Sequence, residues 1–206
     1  PVTCIIGGSK ISTKINVIKS LIEKINNLII VGAMANNFLV YKNLKVGKSL
    51  VENNTKEIIE KIYKKATENN CEIMIPADCM VGTSFDGKGE NKDLDKIRNN
   101  EIILDIGPKT INRIKKKIEQ SKTVLWNGPA GFFENENFAN GTRSIAKTIS
   151  KNTSEGSLIS VLGGGDTLAA INKSKNELSF SHLSTAGGAF LEYLEGKDLP
   201  GISVLK

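Results

Sequence analysis

Short runs of β-branched and apolar residues alternate along this chain with longer stretches of 3.6-residue periodicity, and that alternation leaves few folds open. It is the signature of repeated βα units around a parallel sheet. The expected strands are Val2 to Gly7, Leu28 to Gly32, Glu72 to Pro76, Thr123 to Gly128, Leu158 to Gly163 and Phe180 to Ser184. Helices are expected over Thr13 to Lys24, Ala35 to Lys42, Thr55 to Asn69, Thr110 to Gln120, Gly141 to Ser150, Thr167 to Lys173 and Gly188 to Leu194. Parallel strands joined by helical crossovers give an open, doubly wound α/β sheet with helices on both faces, three layers in all. A shorter apolar piece from Ile102 is expected along the sheet edge. The polar, glycine-bearing segment from Thr83 to Asn100 reads as a surface loop or hairpin.

At 206 residues the chain suits one domain of generous size, and residues 1–206 are expected to form it. Hydrophobic residues at 39% and charged residues at 24% exclude a disordered or fibrous chain. The longest apolar runs, such as LIIVGAMA from Leu28, fall well short of the roughly 20 residues that cross a bilayer, so no membrane role is expected. Three cysteines, Cys4, Cys71 and Cys79, show no CxxC pairing, which suits a reducing compartment, and the cytoplasm is expected. A net charge of +6 fits nucleic acid, an acidic surface or a phosphorylated metabolite. Much of the lysine, however, alternates with apolar residues at helical spacing, as in KEIIEKIYKKA, and a solvated helix face is the simpler reading. Pro1 enters a hydrophobic strand at once, so the chain is expected to be cut from something longer.

In an open α/β sheet, ligands bind beyond the carboxyl ends of the strands, near the point where strand order reverses. The expected strands end in Gly7-Gly8-Ser9-Lys10, Asn127-Gly128-Pro129, Gly163-Gly164-Gly165-Asp166-Thr167 and Ser184-Thr185-Ala186-Gly187-Gly188, four glycine-bearing turns that should share one edge. The last two turns run into helices, whose free N–H groups and positive dipole ends favour phosphate. If a helix starts near Ser12, Lys10 lies just before it and Lys14 in its first turn, and both reach the crevice. Asp166 at a helix start suits Mg²⁺, with an N-cap role as the plainer alternative. No Walker-type loop and no GxGxxG fingerprint occurs. The lone His182 reads as a core or rim histidine.

The turns, taken in order, resemble the C-terminal domain of the phosphoglycerate kinase family. The matching stretches are GGSKISTK from Gly7, VGAMANNFL from Val31, VGKSLVE from Val46, LDIGPKT from Leu104, VLWNGPAGFFE from Val124, FANGT from Phe138, GGGDT from Gly163 and the stretch from His182 to Gly201. The resemblance implies a six-stranded Rossmann-like parallel sheet of order 3-2-1-4-5-6 that binds Mg-ADP or Mg-ATP. It implies transfer of the acyl phosphate of 1,3-bisphosphoglycerate to ADP, giving ATP and 3-phosphoglycerate. Lys10, Gly165 and Asp166 would be catalytic: Lys10 stabilises the transferring phosphoryl group and Asp166 positions the metal. Lys14 would bind nucleotide phosphates, Glu134 would accept the ribose hydroxyls, and Gly164, Gly165 and Thr167 would cradle phosphates with their amides. Asn127 and Pro129 would shape the phosphate end, while Gly8, Gly32, Ala33, Leu104 and Phe133 would line the adenine and ribose region. Ser9, Ile103, Gly128 and Ala130 join the expected nucleotide-binding set, and Gly187 and Gly188 the phosphate-binding helix start.

Departures from the family pattern cluster at the base pocket. Ala33 and Ile103 stand where many members have glycine, which should narrow the adenine slot, and Ala186 begins a run that is commonly three glycines. In the family an N-terminal domain binds 3-phosphoglycerate and supplies an arginine. This chain alone is therefore expected to bind nucleotide with little turnover, as a monomer and without nucleic acid. A non-catalytic nucleotide-binding module is the competing reading.

Overall fold

The computed structural model describes residues 1–173 and 177–205. These residues form nine strands and eight α-helices. In chain order they are β1 (Val2–Ile6), α1 (Ile15–Ile22), β2 (Asn27–Ile30), α2 (Ala35–Tyr41), α3 (Lys56–Glu68), β3 (Glu72–Met74), β4 (Asp78–Gly82), β5 (Glu90–Asp93), β6 (Ile102–Ile106) and α4 (Pro108–Glu119). There follow β7 (Thr123–Asn127), α5 (Asn140–Ser154), β8 (Ile159–Gly163), α6 (Gly165–Asn172), β9 (His182–Ser184), α7 (Gly188–Leu194) and α8 (Pro200–Ser203). Six strands form one parallel sheet in the order β3-β2-β1-β7-β8-β9. Counted within that sheet, the order is the expected 3-2-1-4-5-6. The chain leaves β1 in one direction and returns to its other side at β7, so the reversal point lies between these two strands.

Residue alternation along the central strands explains the layers. Successive side chains of a strand face opposite sides, so Cys4 and Ile6 enter one core while Ile5 enters the other. The first core gathers the apolar stripes of α1, α2 and α3, with Leu191 and Leu194 of α7 against it. The second gathers Ile111, Ile114 and Ile118 of α4 with Ile145 and Ile149 of α5, packed on the fully buried Trp126. Each of these side chains contributes about 1.5–3 kcal/mol through loss of water contact. The helix α4 starts where Asp78 accepts hydrogen bonds from the Lys109 and Thr110 amides, an acid at a positive helix end.

The piece from Ile102 does not run along the edge of the main sheet. It is β6, and it pairs antiparallel with β4, which in turn pairs with β5, making a separate three-stranded sheet. That small sheet has its own core of Leu39, Val46, Cys79, Val81, Leu94 and Ile97. The Thr83–Asn100 segment supplies β5, whose sequence ENKD has no apolar face and gives no strand signal by periodicity. A second correction concerns α1. It begins at Ile15 rather than near Ser12, so Lys14 stands at the cap position and not inside the first turn. His182 is exposed on the edge strand β9, a rim residue and not a core one.

Candidate functional site

Four turns meet at the carboxyl edge of the parallel sheet, because β1, β7, β8 and β9 are adjacent there. They enclose two connected spaces. One, of about 330 Å³, is lined by Lys10, Thr13, Lys14, Asn127, Gly128, Gly164, Gly165, Thr167, Gly187, Gly188 and Leu191. The other, of about 440 Å³, is lined by Gly32, Ala33, Ile103, Leu104, Pro129, Phe133 and Glu134, with Lys48, Leu50, Phe85, Ile102, Gly131 and Phe132. Gly8, Ser9 and Asp166 line both and join them into one crevice. Every residue of the expected catalytic, nucleotide-binding and phosphate-binding sets lines this crevice except Ala130, which lines the small space beneath the larger one.

The smaller end is cationic and rich in bare backbone. Gly7 N–H donates to the Asn127 carbonyl at 2.8 Å, which clamps the first turn to the second. Lys14 Nζ donates to the Gly7 carbonyl at 2.7 Å and to Asn127 Oδ1 at 2.6 Å, leaving one of its three protons for a ligand. Asn127 Nδ2 donates in turn to the Gly163 carbonyl, so this side chain ties the turns after β1, β7 and β8 together and keeps one N–H unspent. Thr167 is used the same way, its Oγ1 accepting from Gly128 N–H and donating to the Gly163 carbonyl. Burial lowers the Lys14 pKa to about 8, against the opposing pull of Cys4 and Asp166. Lys10 and Asp166 are exposed and make no side-chain hydrogen bond among the described residues. Asp166 lies within α6 behind Gly164, so it is not the N-cap. Gly164 itself has φ of 102°, a left-handed backbone that glycine adopts without strain. At Gly165, Gly187 and Gly188 a Cβ would meet nothing within 4 Å, so the backbone there is open to approach.

Glu52 sets the loop that carries Lys10. Burial pushes its carboxyl up, but bonds from the Ser12 hydroxyl and the Ser12 and Ile11 amides outweigh that and hold it below the usual range. Nothing in the residue pattern marks this role, since Glu52 is 40 positions from Ser12 and the two meet only through the fold.

The larger end is apolar. Ala33 and Ile103 do stand in its wall, yet a space of about 440 Å³ remains, within the range of small-molecule sites. Phe85 and Phe132 meet edge to face across it, ring centres 5.0 Å apart, and Asn135 Nδ2 fastens the Phe85 carbonyl at 2.7 Å. Phe85 was legible in principle: it is the only aromatic residue between Thr83 and Asn100, and a lone aromatic in a polar loop needs an apolar neighbour. Glu134 is exposed at the rim.

Beneath the slot lies Asp105, 3% exposed, whose oxygens accept from the Ile106 and Gly141 amides. Burial pushes its pKa up to about 7, against the lowering effect of those two bonds. The folded value lies above the ordinary 3.8, so the neutral acid stabilises the fold. That stability is fully present below about pH 3.8 and is lost as pH rises through about 7, roughly 4 kcal/mol in all. Asp105→Asn should abolish this slope at a fixed, pH-independent cost. Urea unfolding at pH 5 and pH 8 measures it, and an unchanged slope in the variant would show that another group carries it.

Among the described residues no group of three or more His, Cys, Asp or Glu side chains converges as a metal cage. The donor set does suit Mg²⁺ carried by a polyphosphate, which needs only one or two protein carboxylates beside phosphate and water oxygens. Asp166 is exposed at the junction of the two spaces, beside the lysine- and glycine-lined end.

Fold and crevice define a class: an open, doubly wound α/β domain with its ligand crevice at the reversal point of the sheet. The comparisons sharpen this. The phosphoglycerate kinase family model matches residues 1–197. Phosphoglycerate kinases of Chelativorans sp. (strain BNC1) and Wolbachia pipientis subsp. Culex pipiens (strain wPip) are 43% and 45% identical to this chain, covering 100% and 98% of it. The solved phosphoglycerate kinase of Coxiella burnetii superposes with a TM-score of 0.92 at 43% identity over 100% of the chain. That of Pyrococcus horikoshii OT3 gives 0.80 at 28% over 99%. The chain belongs to the phosphoglycerate kinase family, and it spans about half (52%) of the length of the curated relatives it matches.

Proposed function

We propose that residues 1–206 are one nucleotide-binding domain, which takes Mg-ADP or Mg-ATP for phosphoryl transfer between 1,3-bisphosphoglycerate and ADP. One observation carries the reading: a single crevice joins an apolar slot of base size to a lysine- and glycine-lined end that fits phosphates. In this reading Glu134 at the rim takes the ribose hydroxyls. Lys14 takes nucleotide phosphates, and the amides of Gly164, Gly165 and Thr167 take phosphate oxygens at the start of α6. Lys10 faces the transferring group and stabilises the charge that spreads over it. Asp166 holds Mg²⁺, which neutralises phosphate charge when bound.

Phosphoryl transfer asks a protein mainly to align two oxygens and stabilise spreading charge, so no covalent intermediate on the chain is required. The 3-phosphoglycerate partner would be bound outside this chain. The same reading places the protein in the cytoplasm as a monomer, supported for the compartment by three buried, free thiols. The test is a coupled assay with 3-phosphoglycerate and ATP. The 206-residue chain alone should show no turnover above background while Mg-ADP raises its unfolding temperature. Turnover at about 1–100 s⁻¹, the usual kinase range, would contradict the division of labour.

A further inference from the structure

The side chain of Lys10 is exposed and makes no hydrogen bond among the described residues, so its aim is set by the backbone on either side of it. Ser9 before it lies at the crevice, and the Ile11 side chain after it is fully buried in the core shared with α1. Thr13 Oγ1 donates to the Lys10 carbonyl at 3.0 Å. Because α1 begins only at Ile15, the Ile11 and Ser12 amides lie outside its hydrogen-bond ladder. Both donate instead to Glu52 Oε2, at 2.5 and 3.2 Å, while the Ser12 hydroxyl donates to Oε1. Glu52 is fixed from behind in its turn. Its own N–H donates to Asn37 Oδ1 at 2.9 Å, and Asn37, 1% exposed in α2, donates to the Met34 carbonyl. Met34 N–H donates to the Gly8 carbonyl at 2.9 Å, which closes the frame on the turn that leads into Lys10.

Resting on the nucleotide reading above, we propose that Glu52 is a positioning residue for phosphoryl transfer: it clamps the Ile11 and Ser12 backbone so that Lys10 meets the transferring group. Glu52 lines neither space of the crevice, so it acts through Lys10 and not on the nucleotide. Charge and position work in opposite directions here. Glu52 and Lys10 are close enough for the lysine to stabilise the carboxylate, and a carboxylate near a phosphate site repels the phosphate. On charge alone, loss of Glu52 strengthens the binding of a third phosphate; loss of the clamp weakens it.

The experiment is calorimetry of Mg-ADP and Mg-ATP with the unaltered chain, Glu52→Ala, Glu52→Gln, Lys10→Met and the double variant Glu52→Ala with Lys10→Met. Only ATP carries the transferring group, so Glu52→Ala should weaken Mg-ATP about fivefold or more and leave Mg-ADP within about twofold, the mark of a misplaced contact to that group. Glu52→Gln keeps an acceptor for the amides and can donate to the Ser12 oxygen, so it should restore most of the Mg-ATP affinity. In the Lys10→Met background, Glu52→Ala should add nothing, since the two act as one unit. Glu52→Asp, one methylene shorter with its charge kept, should show the same selective loss and gives a second test should the alanine variant not fold. Equal weakening of both nucleotides, an Mg-ATP affinity that holds or rises in the alanine and aspartate variants, or additive losses in the double variant would overturn the assignment. Unchanged Mg-ATP affinity in Lys10→Met would overturn it too, with Mg-ADP binding still standing. Failure of both nucleotides to bind the unaltered chain would instead remove the nucleotide reading, and this inference with it.

Discussion

Gly7→Ala should destabilise the fold by about 3 kcal/mol or more and abolish nucleotide binding together. A Cβ at that position would lie 2.1 Å from the Pro129 carbonyl oxygen and 2.7 Å from that of Gly128, both backbone atoms of the facing turn. A flexible side chain could swing aside, but two turns clamped by the Gly7–Asn127 hydrogen bond can relieve the clash only by moving apart. Overpacking of this kind usually costs about 1–3 kcal/mol, and contact with rigid backbone puts this case at or above the upper end. Domains are stable by only about 5–15 kcal/mol in total, so the loss should be plain in urea unfolding. Separation of the turns also carries the Gly7 carbonyl away from Lys14. A change below about 1 kcal/mol with ADP binding retained would show that the β1 and β7 turns are not locked together.

Lys14→Met should weaken Mg-ADP binding by about 10- to 100-fold, the scale of a lost hydrogen bond to a charged group. Lys14 is held by two acceptors with its third proton free, so its ammonium is already aimed when a phosphate arrives. An arginine cannot replace it, because a planar guanidinium does not fit two acceptors placed for a compact ammonium. The unaltered chain should show the same dependence through pH. Its Lys14 is fully charged only well below about pH 8, and a bound phosphate favours the charged form. Affinity should therefore be flat at lower pH and fall as pH rises through 8, with proton uptake on binding. The methionine variant should lose that pH dependence. Titrations in two buffers of different ionisation heat measure the uptake, and equal affinity and pH profiles in both proteins would remove Lys14 from the site.

The central strands and their helices were legible because runs such as VTCII and NLII are buried on both faces and read as continuous apolar segments. The crevice was legible because its chemistry sits in the turns after those strands, where glycine, lysine and aspartate have few structural reasons to cluster. What sequence hid falls into two kinds. The small antiparallel sheet was hidden because β5 is wholly polar and is held by pairing with β4, a relation between distant residues with no local period. The roles of Glu52 and Asp105 were hidden because each depends on burial and on partners far along the chain. Asn36 and Asn37 look alike in sequence, yet Asn37 meets Met34, Glu52 and Thr55 while Asn36 keeps an unmet oxygen.

The most direct measurement is a calorimetric titration of Mg-ADP into the chain, repeated with Asp166→Ala and with the magnesium chelated. Saturable binding of one nucleotide per chain, weakened in the variant and again without magnesium, is the expected result. No heat at millimolar nucleotide, from a chain that still unfolds cooperatively, would contradict the claim that this crevice is a nucleotide site.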